Sequence, residues 1–178
     1  MSPVERLPLT GPAMVFVTTT VRNWIPIFSE ARYAVPVLDQ FAESLDRNQV
    51  SICGYVLMPS HLHALLGVPR IEQLSEVMKA VKTLTSRQMK VLVDEDLRRS
   101  FSRNGEFVFW KRRFDDLVVW SEKQFAIKLE YIHNNPVKAG LVARAEDYPY
   151  SSARDWLLGE DGKILIDKAW SWQGGSSR

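Results

Sequence analysis

The sequence predicts an α+β domain: an α/β plait in which an antiparallel sheet carries helices packed on one face, with one more helix added after the last strand. Three observations lead there. Stretches of strand and helix periodicity follow one another in the order β-α-β-β-α-β. The middle two strands are separated only by Pro59-Ser60, a break short enough for a hairpin. A final amphipathic segment then runs toward Pro136.

Residues 14–20, rich in Val and Thr, read as the first strand, and Arg22-Asn23-Trp24-Ile25-Pro26 reads as a loop. Ser29 is placed to cap a helix over residues 29–47, where Val37, Leu38, Phe41 and Leu45 recur at helical spacing. Pro36 has no amide hydrogen and predicts a broken or kinked first turn. Residues 50–58 and 61–68 give the hairpin. Between residues 71 and 93, Leu74, Val77, Met78, Val81, Leu84 and Met89 share one helix face, and Lys79, Lys82, Arg87 and Lys90 lie opposite. Residues 94–106 read as a charged loop. Extended segments at 107–110 and 114–119 flank Lys111-Arg112-Arg113, and a helix over residues 121–134 is stopped by Pro136.

A chain of 178 residues with 46% hydrophobic and 25% charged residues is long enough for one domain with a real core. Residues 1–152 are read as that domain and 153–178 as a C-terminal tail. In the tail Trp156, Trp170 and Trp172 are expected to anchor packing, and Gly174-Gly175-Ser176-Ser177-Arg178 to fray. A net charge of +2 argues against indiscriminate gripping of duplex DNA but permits a local basic groove. No apolar run reaches the roughly 20 residues of a membrane span, and the first residues lack a signal-peptide pattern, so a cytoplasmic protein with no membrane partner is expected. Cys53, the single cysteine, cannot form an internal disulfide or a thiolate zinc cage and is expected in the core.

The chemistry lies in two short motifs. Of only three histidines, two stand one residue apart in a strand, so His61 and His63 project to the same face and offer half a metal site. A third ligand must come from elsewhere, and the last helix is the candidate source. Tyr131 and Asn135 are four residues apart there, about 40° from each other on the helical wheel, with Gln124 and Lys128 on the same face. Phe125, Leu129 and Ile132 form a separate apolar stripe suited to packing on the sheet. His133 points away from Tyr131 and reads as a surface or capping residue. Two imidazoles and an amide oxygen are neutral ligands that leave a cation its full charge for polarising a phosphodiester. Tyr131 is the candidate nucleophile, helped by Lys128. Lys79, Lys82, Arg87, Lys90, Arg112 and Arg113 are candidate phosphate contacts.

These residues resemble a known family, the single-tyrosine HUH transposases of the insertion-sequence type, and within it the REP-associated tyrosine transposases. The resemblance is carried by Tyr55-Val56-Leu57-Met58-Pro59-Ser60-His61-Leu62-His63, by Trp110-Lys111-Arg112-Arg113-Phe114-Asp115-Asp116, by the run from Glu130 to Val142, and by Glu146-Asp147-Tyr148-Pro149-Tyr150-Ser151-Ser152-Ala153. Ser60 departs from the asparagine or glutamate usual before the first histidine. The resemblance implies a ferredoxin-like fold, Mg²⁺ or Mn²⁺, single-stranded DNA bearing a hairpin as partner, and a 5′-phosphotyrosine intermediate with a free 3′-hydroxyl. It also implies Tyr131 as nucleophile and His61, His63 and Asn135 as metal ligands. The alternative is a DNA hairpin-binding protein that retains the fold without cleaving. A phosphoesterase built on two histidine motifs is excluded, because no second His-x-Thr/Ser motif exists. Monomer and homodimer both remain open.

Overall fold

The protein, seen in a computed structural model, is described over residues 9–171. Trp172 and the Gly174–Arg178 ending lie outside that range. Its main sheet has four strands in the order β2-β3-β1-β6. They are β1 (Ala13–Thr20), β2 (Ser51–Met58), β3 (His61–Val68) and β6 (Asp115–Val119). β1 pairs antiparallel with both β3 and β6, and β3 with β2, so β3 lies between β1 and β2. This is the expected plait.

Alternation in the strands sorts the core into two layers. Val15, Val17, Leu62, Ala64, Leu66, Tyr55 and Leu57 face one side, where α1 (Ala31–Arg47) and α2 (Leu74–Leu92) contribute Val37, Leu38, Phe41, Val77, Met78 and Val81. Met14, Val56, Met58, Leu65 and Val119 face the other, where α4 (Glu122–Lys138) lays Ile132, with Phe125 and Leu129 partly buried beside it. The expected stripe of the last helix therefore packs on the sheet. Gly54 permits the close approach: a Cβ there would stand 2.6 Å from Leu129 Cδ1. Cys53 is buried in this second layer, at a register shift between Ile52 and Gly54, and burial pushes its thiol up to about 12.

Four sequence expectations are corrected. Pro36 does not break α1, which runs through it; the carbonyl that loses its partner belongs to Arg32, an exposed residue. Ser29 does not cap that helix. It belongs to a 3₁₀ turn, and Glu30 occupies the N-cap with no side-chain bond. Residues 94–106 are not a loop but a short helix, α3 (Glu95–Ser100), and a hairpin of β4 (Ser102–Arg103) and β5 (Glu106–Phe107). Asp94 caps α3 by accepting from Leu97 N, and Asn104-Gly105, both at positive φ, make the two-residue turn. Pro136 does not end α4; the helix continues two residues past it to Lys138 and stops before Gly140, whose φ is +70°.

The chain after α4 closes the β2 edge. Leu57 N donates to Tyr150 O, Ser152 N to Tyr55 O, and the Tyr148 hydroxyl to Leu57 O. α5 (Ala153–Leu157) follows, and Trp156 Nε1 donates to Cys53 O. Trp170 covers Gly67 so tightly that a Cβ there would lie 2.3 Å from its ring. Among the described residues no helix is long and apolar enough to cross a membrane.

Candidate active site

Register places the polar end of the sheet. On β3, His61 and His63 fall on the α4 side, opposite Thr20 and Thr18 of β1. Their rings meet edge to face at 4.8 Å. Thr18 Oγ1 lies 2.7 Å from His63 Nδ1, and Ser60 Oγ lies 3.3 Å from His61 Nδ1. With the proton on Nδ1, each ring donates to its hydroxyl and keeps the Nε2 lone pair for another partner, the arrangement typical of metal-binding imidazoles. Burial lowers the pKa of both rings. His63 falls to about 3, through burial first and then the neighbouring His61 and the Lys128 charge, so its lone pair is not protonated near neutrality.

α4 brings the second motif to the first. Lys128 Nζ stands 4.8 Å above the Phe16 ring, Phe16 stacks on His63 at 5.5 Å, and the Tyr131 ring meets His63 at 5.4 Å. Asn135 follows Tyr131 by one turn of α4. Tyr131 is 41% exposed, which leaves the phenol reachable from solvent. Asn135 Nδ2 is buried with no hydrogen-bond partner among the described residues. Turning the amide by 180° would present its oxygen there instead, and the two orientations are distinguished only by what they bind.

The residues that could hold a divalent cation are the two imidazoles, whose Nδ1 atoms face hydroxyls, and the amide of Asn135, whose Nδ2 has no partner among the described residues. Among the described residues no group of three His, Cys, Asp or Glu side chains could hold a metal. A site here therefore depends on the amide.

The remaining predicted residues divide. Lys79, Lys82, Arg87 and Arg112 line one groove with Phe107 and Trp110. Lys82 Nζ is already committed to the carbonyls of Lys111 at 2.5 Å and Arg112 at 2.9 Å, and burial lowers its pKa. It holds the groove wall. Trp110 is buried, its Nε1 donating to Thr85 Oγ1 at 2.8 Å. Arg113 is exposed beside Arg112. Lys90 lies apart, in a shallow depression with Glu95, Arg98 and Arg99. Gln124 serves the start of α4: its Oε1 accepts from Trp120 N, while its own N–H donates to Ser121 Oγ. His133 is neither a surface nor a capping residue. It is buried, and its Nε2 lies 2.9 Å from Ser152 Oγ. Sequence reasoning missed Thr18 and Phe16, whose roles depend on the β1–β3 register, and Trp24, whose ring lies 5.7 Å from His61.

Fold and site together define a class: an antiparallel plait whose sheet presents a histidine pair beneath a helix-borne tyrosine. The family profile described as "Transposase IS200 like" matches residues 14–135, from β1 to the asparagine after that tyrosine. The chain belongs to this family of transposases. It is 33% identical over 143 residues to a Haemophilus influenzae protein named "Putative REP-associated tyrosine transposase", covering 72% of this chain and 77% of that one. An uncharacterized protein of the same organism is 28% identical over 102 residues, 50% of this chain and 56% of its own length. A solved structure of a REP-associated tyrosine transposase bound to a REP hairpin shares the fold with a TM-score of 0.68. It is 21% identical, over 96% of this chain and 98% of the other.

Proposed function

We propose that the protein cuts and rejoins single-stranded DNA beside a hairpin, using Tyr131 as the nucleophile. The observation that carries this reading is the meeting of two motifs far apart in sequence, with the Tyr131 ring 5.4 Å from His63 and the His61 and His63 rings 4.8 Å apart. A phosphate lying over the histidines would be within reach of the phenol. The Tyr131 oxygen attacks phosphorus, the bond to the 3′ oxygen breaks, and the DNA 5′ end remains as a phosphotyrosine with a free 3′-hydroxyl. The phenol proton goes to solvent and the departing oxygen takes one back. The ester bond is conserved for rejoining, so no nucleotide cofactor is required.

Phenol is a weak nucleophile near neutrality, with an ordinary pKa near 10. Lys128, 5.8 Å from the Tyr131 ring centre, supplies positive charge that would draw the phosphate toward the phenol. His61, His63 and Asn135 would hold Mg²⁺ or Mn²⁺, which when bound supplies a Lewis acid for the phosphate oxygens. Thr18 and Ser60 fix the imidazole orientation. The groove of Lys79, Arg87 and Arg112 would take the hairpin backbone. The name of the H. influenzae relative, and the hairpin bound by the solved neighbour, support the choice of substrate.

The test incubates the protein with a hairpin oligonucleotide that has single-stranded flanks, in Mg²⁺ or Mn²⁺, and resolves the products under denaturing conditions. A nicked strand with part of the DNA covalently attached to protein is expected. Tight hairpin binding without any nick would favour the non-cleaving alternative.

A further inference from the structure

Between His61 and the Lys111 wall of the basic groove stands one aromatic side chain that none of the chemistry above uses. Trp24 is 55% exposed. Its backbone is left-handed, with φ +56°, and so is that of Asn23, with φ +58°. Residues other than glycine keep this conformation where their surroundings impose it. Here Val21 N donates to Ser60 O, Phe28 N to Pro59 O, Arg22 N to Phe109 O and Lys111 N to Thr20 O, all within 2.9 Å. These bonds fasten both ends of the turn to the residues before His61 and to the segment that walls the groove.

The ring is therefore presented rather than packed. It meets His61 edge to face at 5.7 Å, and Lys111 Nζ lies 4.3 Å from its centre. Lys111 also lines the groove with Arg112, and its carbonyl is held by Lys82. An indole and a cation thus stand where a strand leaving the groove would reach the histidines.

We propose that Trp24 is a stacking platform for an unpaired nucleobase adjacent to the phosphate that the histidines and Tyr131 act on, with Lys111 steadying the ring and drawing the strand's backbone. The inference rests on single-stranded DNA being the substrate. Every base has a π face, so such a platform positions the strand without reading its sequence. Trp24 is a positioning residue, fixing the phosphate by fixing the base beside it.

The test uses Tyr131→Phe protein in metal-free buffer, so that binding is read without cleavage. The probe is a hairpin oligonucleotide with 2-aminopurine placed in turn at each single-stranded flank position. One position is expected to be quenched on binding. Trp24→Gly, which suits the positive φ and should melt with the parent protein, is expected to remove that quench and weaken binding on the order of 10-fold. Trp24→Phe should restore most of both. An abasic site at that position should weaken the parent and leave Trp24→Gly unaffected. Parent-like affinity and quenching in Trp24→Gly would overturn the platform alone. Absence of binding by the parent protein itself would overturn the platform together with the DNA substrate beneath it.

Discussion

Two histidines on the α4 side of the sheet, His63 and His133, are each buried and each held by a hydroxyl, at 2.7 Å from Thr18 and 2.9 Å from Ser152. What surrounds them differs. Ser152 Oγ accepts from Tyr55 N and lies within hydrogen-bond distance of both Tyr55 O and His133 Nε2, so this imidazole is tied through one hydroxyl to the backbone of β2. Around His63 there are a second imidazole and a solvent-facing phenol, and one turn after that phenol α4 carries an amide nitrogen with no partner among the described residues. Burial without satisfaction costs stability, and the proposed function gives that cost a use. His133 ties α4 to the chain covering the β2 edge. On the proposed function, His63 belongs to the chemistry.

The largest expected contrast is in catalysis. His61→Ala should lower the nicking rate by at least on the order of 10²–10³-fold while hairpin affinity stays within a few-fold. His133→Gln should leave the nicking rate of folded protein nearly unchanged. A timed nicking assay on both variants checks this, and equal losses would erase the distinction.

Next comes stability against pH. Burial lowers His133 to about 4 from an ordinary 6.5, so the unfolded chain takes up a proton that the folded one refuses. The resulting stabilisation is complete above pH 6.5 and is lost as pH falls toward 4, by about 3 kcal/mol. Denaturant midpoints measured between pH 7.5 and pH 4 should fall more steeply for the wild type than for His133→Gln.

A smaller effect is expected from Thr18→Val, which removes the hydroxyl 2.7 Å from His63 Nδ1. Mn²⁺ affinity should drop about 10-fold with little change in melting temperature. Unchanged affinity would mean that the hydroxyl does not orient the ring. Smallest, Lys79→Gln and Arg87→Gln should each reduce the slope of log affinity against log salt by about 1 without altering the position of the nick.

Much of this was legible in the sequence. The strand periodicity around His61 and His63 put both rings on one face, and the wheel of α4 separated the Tyr131–Asn135 face from the Leu129–Ile132 stripe. Both arguments concern neighbours within one element, where geometry follows from spacing. The prolines misled because a helix tolerates the loss of one amide bond when the freed carbonyl reaches solvent or the helix is pinned by packing. Arg32 is exposed in the first case, and Pro136 is itself buried in the second. Asn104-Gly105 carried a hairpin signal that the surrounding charges obscured. Thr18 could not be seen without the β1–β3 register. His133 was set apart from Tyr131 by the wheel, but its burial depends on Ser152, which returns to the sheet only through long-range pairing.

The central claim is that Tyr131 forms the bond to DNA. The most direct measurement is mass spectrometry of peptides from the denatured protein–DNA adduct after nuclease trimming. The account predicts a nucleotide mass on the peptide containing Tyr131 in wild-type protein and no adduct at all from Tyr131→Phe. An adduct on another residue, or an adduct from Tyr131→Phe in wild-type yield, would contradict it.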